Sequence, residues 1–285
     1  MPPLAIGLLL LAGAMHAGWN LLVKQAREKE IFTWCSLLIG ALCYLPLLAF
    51  GADLPARAWP FIIASAAVEA AYFFALTRAY TIGDFSLIYP LARGAAPALL
   101  AVWATLFLGE RLRPAGLLGL LVLIGGLLVV GGGVWWAGRG KARVGPSGVL
   151  AALTVALCIS IYTAIDGAAV RTISPVPYTV LILGLSAVFC APVIAWRHRR
   201  AAIVAELRLN WPRIAAVGVL NVTTYMLVLF AYSRAQVAYA GAVREISVVF
   251  AALVGWRWLG ESFGLYRTIG ALLIFSGIVI IAIFG

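Results

Sequence analysis

Apolar residues along this chain come in runs of about 20, the length a helix needs to cross a hydrocarbon core about 30 Å thick. Short polar turns separate them. Runs near 4–23, 31–50, 59–80, 85–108 and 114–134 come first, and runs near 147–166, 176–196, 212–233, 238–259 and 264–284 follow. Between the two sets lies Trp135 to Pro146 (WWAGRGKARVGP), with three basic residues and no apolar run. The pattern predicts an all-α integral membrane protein with ten transmembrane helices in two five-helix halves, residues 1–134 and 147–285, joined by a linker at 135–146. The first run lacks a basic leader and is followed by nine more, so it reads as a span rather than a removable signal.

The halves repeat each other in more than hydropathy. Leu108-Gly109-Glu110 before the fifth run matches Leu259-Gly260-Glu261 before the tenth, 151 positions later. At that offset Arg93 falls on Arg244, Gly119 on Gly270 and Gly126 on Gly277. One residue of slippage pairs Ala79-Tyr80 with Ala231-Tyr232 and Glu69 with Asn221. With an odd number of spans per copy, the second copy enters the membrane from the opposite side, so the repeats are expected to be inverted. Inverted repeats are a common design of secondary transporters, with the site at the repeat interface near the midplane.

Composition removes the soluble alternatives. Of 285 residues 64% are hydrophobic and 11% charged, against about 25% charged in an ordinary soluble domain. The net charge of +11 does not imply a nucleic-acid partner, because the basic residues sit mainly in short loops, where they report orientation. Five Lys and Arg fall on the side of the two termini and fourteen on the other. By the positive-inside rule both termini are then outside and the basic loop at 197–211 is cytoplasmic. The four cysteines lie in apolar runs without metal-ligand spacing and read as packing residues.

The ten runs in a five-plus-five duplication, the two Leu-Gly-Glu segments, Ala79 to Arg93 and His16 to Lys24 (HAGWNLLVK) together resemble the drug/metabolite transporter superfamily and, within it, the EamA-like domain proteins. The resemblance covers nearly the whole chain. It implies a carrier of the bacterial inner membrane whose cavity is lined mainly by spans 1, 3, 4, 6, 8 and 9. It implies a small-molecule substrate without naming it, since similar proteins handle amino acids, sugars, nucleotide sugars and drugs. It also implies cytoplasmic termini, opposite to the charge count.

Ionisable side chains deep in a bilayer persist mainly in a protein interior or a water-filled cavity, and few runs carry one. His16, Asn20 and Lys24 recur every four residues on the first, with Trp19 adjacent. The third carries Glu69 with Tyr72, Phe73, Leu76 and Tyr80 at helical spacing; its repeat mate carries Asn221, Thr224, Tyr225 and Tyr232. Tyr89 and Arg93 share a face of the fourth, where Pro90 and Pro97 can kink the helix. Tyr162 and Asp166 lie on the sixth, Arg244 and Glu245 on the ninth. The candidate substrate-binding set is therefore His16, Trp19, Asn20, Glu69, Tyr72, Tyr89, Arg93, Tyr162, Asn221, Tyr225, Arg244 and Glu245. An arginine would take a carboxylate through a bidentate pair, and Glu69 or Glu245 an amine. The same acids and arginines could instead be structural ion pairs between helices. Lys24 and Asp166 read as helix-end residues that snorkel, and Tyr80 and Tyr232 as interfacial anchors. The Leu-Gly-Glu segments read as turns whose acid caps the next helix, and glycines such as Gly125, Gly126, Gly131 and Gly277 as close-packing or homodimer positions.

The two histidines, His16 and His198, form no metal motif, and no serine sits in a nucleophile elbow. The sequence therefore implies no catalytic residue, metal or cofactor. No Walker motif is present to drive transport with ATP, so an ion gradient would do so, with protons as the economical choice. The expected function is a secondary transporter exporting a small polar, amino-acid-like metabolite by alternating access. The alternative is a flippase for a lipid-linked or phosphorylated headgroup.

Overall fold

The computed structural model describes residues 1–50, 54–82, 85–137, 146–250, 253 and 265–285. Among these the chain is nearly all helix, with no strand. The first half contains α1 (Pro3–Lys24), α2 (Lys29–Tyr44), the short α3 (Leu47–Phe50), α4 (Trp59–Ile82), α5 (Phe85–Phe107) and α6 (Pro114–Ala137). The second contains α7 (Pro146–Ala169), α8 (Pro175–Arg197), α9 (Arg200–Tyr232), α10 (Val237–Val243) and α11 (Leu265–Phe284). Proline opens α1, α6, α7 and α8, where its missing N–H would have had no helical partner anyway. Six segments are each long and apolar enough to span a bilayer, and shorter apolar helices cover Leu91–Phe107, Pro114–Val130 and Thr268–Phe284. The outward faces are lipid-like: Leu118, Leu121, Leu150, Leu272 and Phe275 are exposed, a contiguous apolar surface no water-soluble monomer would sustain.

Packing follows small residues. α6 and α11 form the most intimate pair, because a Cβ on Gly126 would lie 2.8 Å from the Gly270 carbonyl oxygen and one on Gly270 2.8 Å from that of Gly126. Gly119 and Gly277 meet in the same reciprocal way, at 2.9 and 2.6 Å. These glycines thus serve contact within the chain, while Gly125 has nothing within 4 Å of its would-be Cβ. Three further contacts come in matched sets. α2 packs on α9 and α4 on α8; α4 packs on α7 and α1 on α9; α5 packs on α7 and α1 on α10.

Three features depart from the run pattern. The segment 197–211, read as a loop, is mostly helix: α9 starts at Arg200 and runs 33 residues. Its first turns pack Ile203 and Leu207 against Ile31, Phe32 and Cys35 of α2. Arg197 and His198 at the corner both bind Glu30, at 3.0 and 2.9 Å, so an intramolecular anchor replaces a free basic loop. Second, α5 runs unbroken despite Pro90 and Pro97. The interruption falls in its repeat mate, where α10 ends at Val243, Arg244 and Glu245 form a turn, and helix resumes at 246–250. Third, Glu110 does cap a helix, but not the next one. Its carboxylate accepts the N–H groups of Val237 and Ala238 at 2.6 and 3.1 Å, at the start of α10 in the other half, and pairs with Arg171 at 2.8 Å. Gly109 makes the preceding turn at φ +66°, a conformation that favours glycine. Glu261 lies outside the described residues.

Candidate functional site

The interrupted ninth span sets the site. Where regular helix stops, Glu245 turns inward and is 1% exposed. Arg93 of α5 donates from one guanidinium nitrogen to both Glu245 oxygens at 3.1 Å. Its second nitrogen lies 3.2 Å from His16 Nε2 on α1, and the His16 ring meets Trp19 edge-on at 4.7 Å. Three predicted residues on three helices thus form one ionic cluster across the halves. The ion pair is Arg93 with Glu245.

Arg244, one residue earlier, is different. Its guanidinium has no hydrogen-bond or ion-pair partner among the described residues, and Tyr162, Tyr225, Tyr232, Glu245, Glu69, Asp166 and His16 lie within electrostatic reach. It borders a small internal pocket with Ser160, Thr163 and Gly241. The hydroxyls of Thr163 and Tyr232 are buried and unpartnered. A partly buried cation beside unused hydroxyls is a place where an anionic group would find donors.

On the opposite wall Glu69, midway along α4, accepts the Ser186 hydroxyl of α8 at 2.9 Å. Tyr72, Tyr162 and Tyr225 follow in edge-to-face contact, with centroids 5.9 and 6.4 Å apart, so α4, α7 and α9 contribute one ring each. Asn20 turns back to its own helix, donating to the His16 carbonyl at 2.7 Å. Asn221 is half-buried on α9, one turn before Tyr225. The side chains of Tyr89, Lys24 and Tyr80 lie outside the described residues.

Two readings of the sequence are corrected here. Asp166 does not snorkel: it is fully buried because α7 continues past it to Ala169 and α4, α8 and α9 cover it. Tyr178 donates to one of its oxygens at 2.7 Å and Tyr225 to the other. Tyr232 is no interfacial anchor but is 1% exposed. It forms the inner wall of a cavity of about 410 Å³ at the end of the bundle bearing the termini, lined also by Glu110, Arg113, Arg171, Arg234 and Gln236. Helical spacing could have found Asp166, since Tyr162 and Asp166 are four apart on one face.

Comparison with known proteins settles the family. The model of the EamA-like transporter family matches residues 3–132 and again 146–283. The chain belongs to the EamA-like transporter family. It is therefore a multi-pass protein of the bacterial inner membrane and a member of a family of transporters. Among curated relatives, the pseudopaline exporter CntI of two Pseudomonas aeruginosa strains is 25% identical over 262 residues, covering 88% of this chain and 86% of the relative. A solved crystal structure superposes with a TM-score of 0.77 at 20% identity, covering 99% of this chain and 98% of that one, which shows a shared fold.

Proposed function

We propose that this EamA-like protein is a secondary transporter that exports a small, amino-acid-like metabolite by alternating access between two inverted five-helix halves. The observation that carries the reading is Arg244: a half-buried guanidinium with no hydrogen-bond or ion-pair partner among the described residues, set at the break of a transmembrane helix and one residue from an ion pair that bridges the halves. Irregular backbone at membrane depth is tolerated where it is buried in protein or lines a cavity, and transporters use such broken helices to hold charged solutes. Arg244 takes the solute carboxylate, assisted by the spare hydroxyls of Thr163 and Tyr232. The tyrosine wall and Glu69 face its cationic end, since aromatic rings and a carboxylate both favour an ammonium group. Arg93, Glu245 and His16 hold the two halves in register rather than binding the solute.

The inverted repeat is supported by the reciprocal glycines. An axis that exchanges Gly119 with Gly270 and Gly126 with Gly277, the 151-residue offset, turns the Gly119–Gly277 contact into the Gly270–Gly126 contact. The matched helix pairs obey the same exchange. The export direction rests on the likeness to the pseudopaline exporter.

A ligand-stabilisation screen of the purified protein tests the proposal, because a solute that binds only the native state raises its apparent melting temperature. Carboxylate-bearing amino compounds should raise it in the wild type and fail to do so in Arg244→Ala. Stabilisation that survives Arg244→Ala, or arises only from neutral solutes or lipid headgroups, would sink the assignment.

A further inference from the structure

Two acids in the bundle make no ion pair among the described residues and share one cation, Arg244, within electrostatic reach. Neither Glu69 nor Asp166 has a Lys, Arg or His within ion-pair distance among the described residues, whereas Glu245 has Arg93. His16 apart, the described residues of the cluster carry three carboxylates, Glu69, Asp166 and Glu245, against two guanidiniums, Arg93 and Arg244. It is short of one positive charge, and an uncompensated charge at membrane depth is expensive. The two acids come from different halves and sit within electrostatic reach of each other. Their access differs: Glu69 is half-buried, whereas Asp166 is 0% exposed behind Tyr178 and Tyr225. A metal ion or an amine could not reach Asp166 without displacing these rings. A proton can, because hydroxyl groups both donate and accept.

A further polar group points the same way. The Ser65 hydroxyl is wholly buried on α4, one turn from Glu69 on the same face. It approaches the Asp166 carboxylate and the Tyr178 phenol, yet closes no well-aligned hydrogen bond. It is an unused donor and acceptor between the two acids.

We propose that Glu69 and Asp166 hold one exchangeable proton between them, which enters at the half-buried Glu69, reaches Asp166 through the Ser65 and Tyr225 hydroxyls, and is traded for the solute. This deepens the carrier reading and rests on it for the trade, though not for the proton site itself. One proton leaves the aqueous phase on one side, restores the missing charge, and is released on the other when the solute's ammonium group takes its place at Glu69. The titratable or charged groups facing the pair are Tyr162 on α7, Tyr178 and Cys190 on α8, Tyr225 and Tyr232 on α9, and Arg244 after α10. Arg93 of α5 reaches it only through Tyr162. Of these the arginines alone are charged at neutral pH by their ordinary chemistry, so the proton is the variable charge.

The test is infrared difference spectroscopy of the full-length purified protein titrated with acid and base, with no solute added. The wild type should show a protonated-carboxyl carbonyl band that titrates away once, and the Glu69→Gln/Asp166→Asn double variant should lack it. Tyr225→Phe, which keeps both acids and almost all of the side-chain volume, should fold and move the midpoint by about one pH unit, the worth of one hydrogen bond. A wild-type spectrum with no band that the double variant lacks overturns the proposal. So does a midpoint unmoved in Tyr225→Phe, which decides the matter alone if the double variant does not fold. Either result leaves the carrier reading intact, since no solute is present; a titrating band with no stabilising solute in the screen would instead defeat the carrier reading alone.

Discussion

Arg93 and Arg244 occupy matching places in the proposed repeat register, but among the described residues only Arg93 has an acid at ion-pair distance. Arg93→Ala leaves the buried Glu245 carboxylate uncompensated, a cost of about 3 to 5 kcal/mol, and should lower the melting temperature sharply with no added solute. Arg244→Ala should leave the melting temperature close to wild type while removing solute-induced stabilisation; thermal unfolding of both variants with and without solute checks the contrast. Glu69→Gln keeps the bond from Ser186 but loses charge, and should weaken apparent solute affinity about tenfold or more, as expected for one charge-assisted contact. His16, Glu69, Arg93, Arg244 and Glu245 were legible in the sequence because ionisable residues are rare in apolar runs. Who pairs with whom was not, since pairing depends on the rotation of each helix about its axis. Asp166 and Tyr232 were misjudged for one shared reason: depth was counted from the edges of apolar runs, and neighbouring helices cover more than those edges suggest.

The apolar runs located the helices well, since run length alone reports a span, but were blind to what happens beyond or inside a span. The polar start of α9 continues as helix because Ile203 and Leu207 find an apolar face on α2, information that lies outside its own run. The break at Arg244 carries neither glycine nor proline at the turn itself, so no local signal announced it, whereas Pro90 and Pro97, read as places where the helix can kink, lie inside continuous helix. For the α6–α11 pair a clean contrast is available. Gly126→Leu drives a side chain into the Gly270 carbonyl, where backbone cannot yield, and should cost several-fold in folded yield; Gly125→Leu points into open space and should be near neutral. Size-exclusion profiles of the two variants measure the difference. Glu110→Ala removes the acceptor for two α10 N–H groups and the Arg171 partner, an expected loss of about 1 to 2 kcal/mol seen as a lower melting temperature.

At the scale of the whole molecule the charge asymmetry makes a prediction of its own. Fourteen basic residues at one end against five at the other place both termini outside by the positive-inside rule. A C-terminal alkaline phosphatase fusion should then be active in intact cells and a fluorescent protein fusion dark; the reverse result would favour the cytoplasmic termini implied by the family. The basic end also carries the overhang of α9. Its residues 200–211, about 18 Å of helix, precede the apolar run and continue as helix through Pro212 into the segment bearing Tyr225 and Tyr232. That continuity makes the overhang a mechanical pointer. A tilt of α9 by about 10° during the working cycle would swing its tip by roughly 3 Å, so paired spin or fluorescent labels at exposed Ala202 and on the α1–α2 turn would record each half-cycle from outside the membrane, even for a solute whose identity is not known.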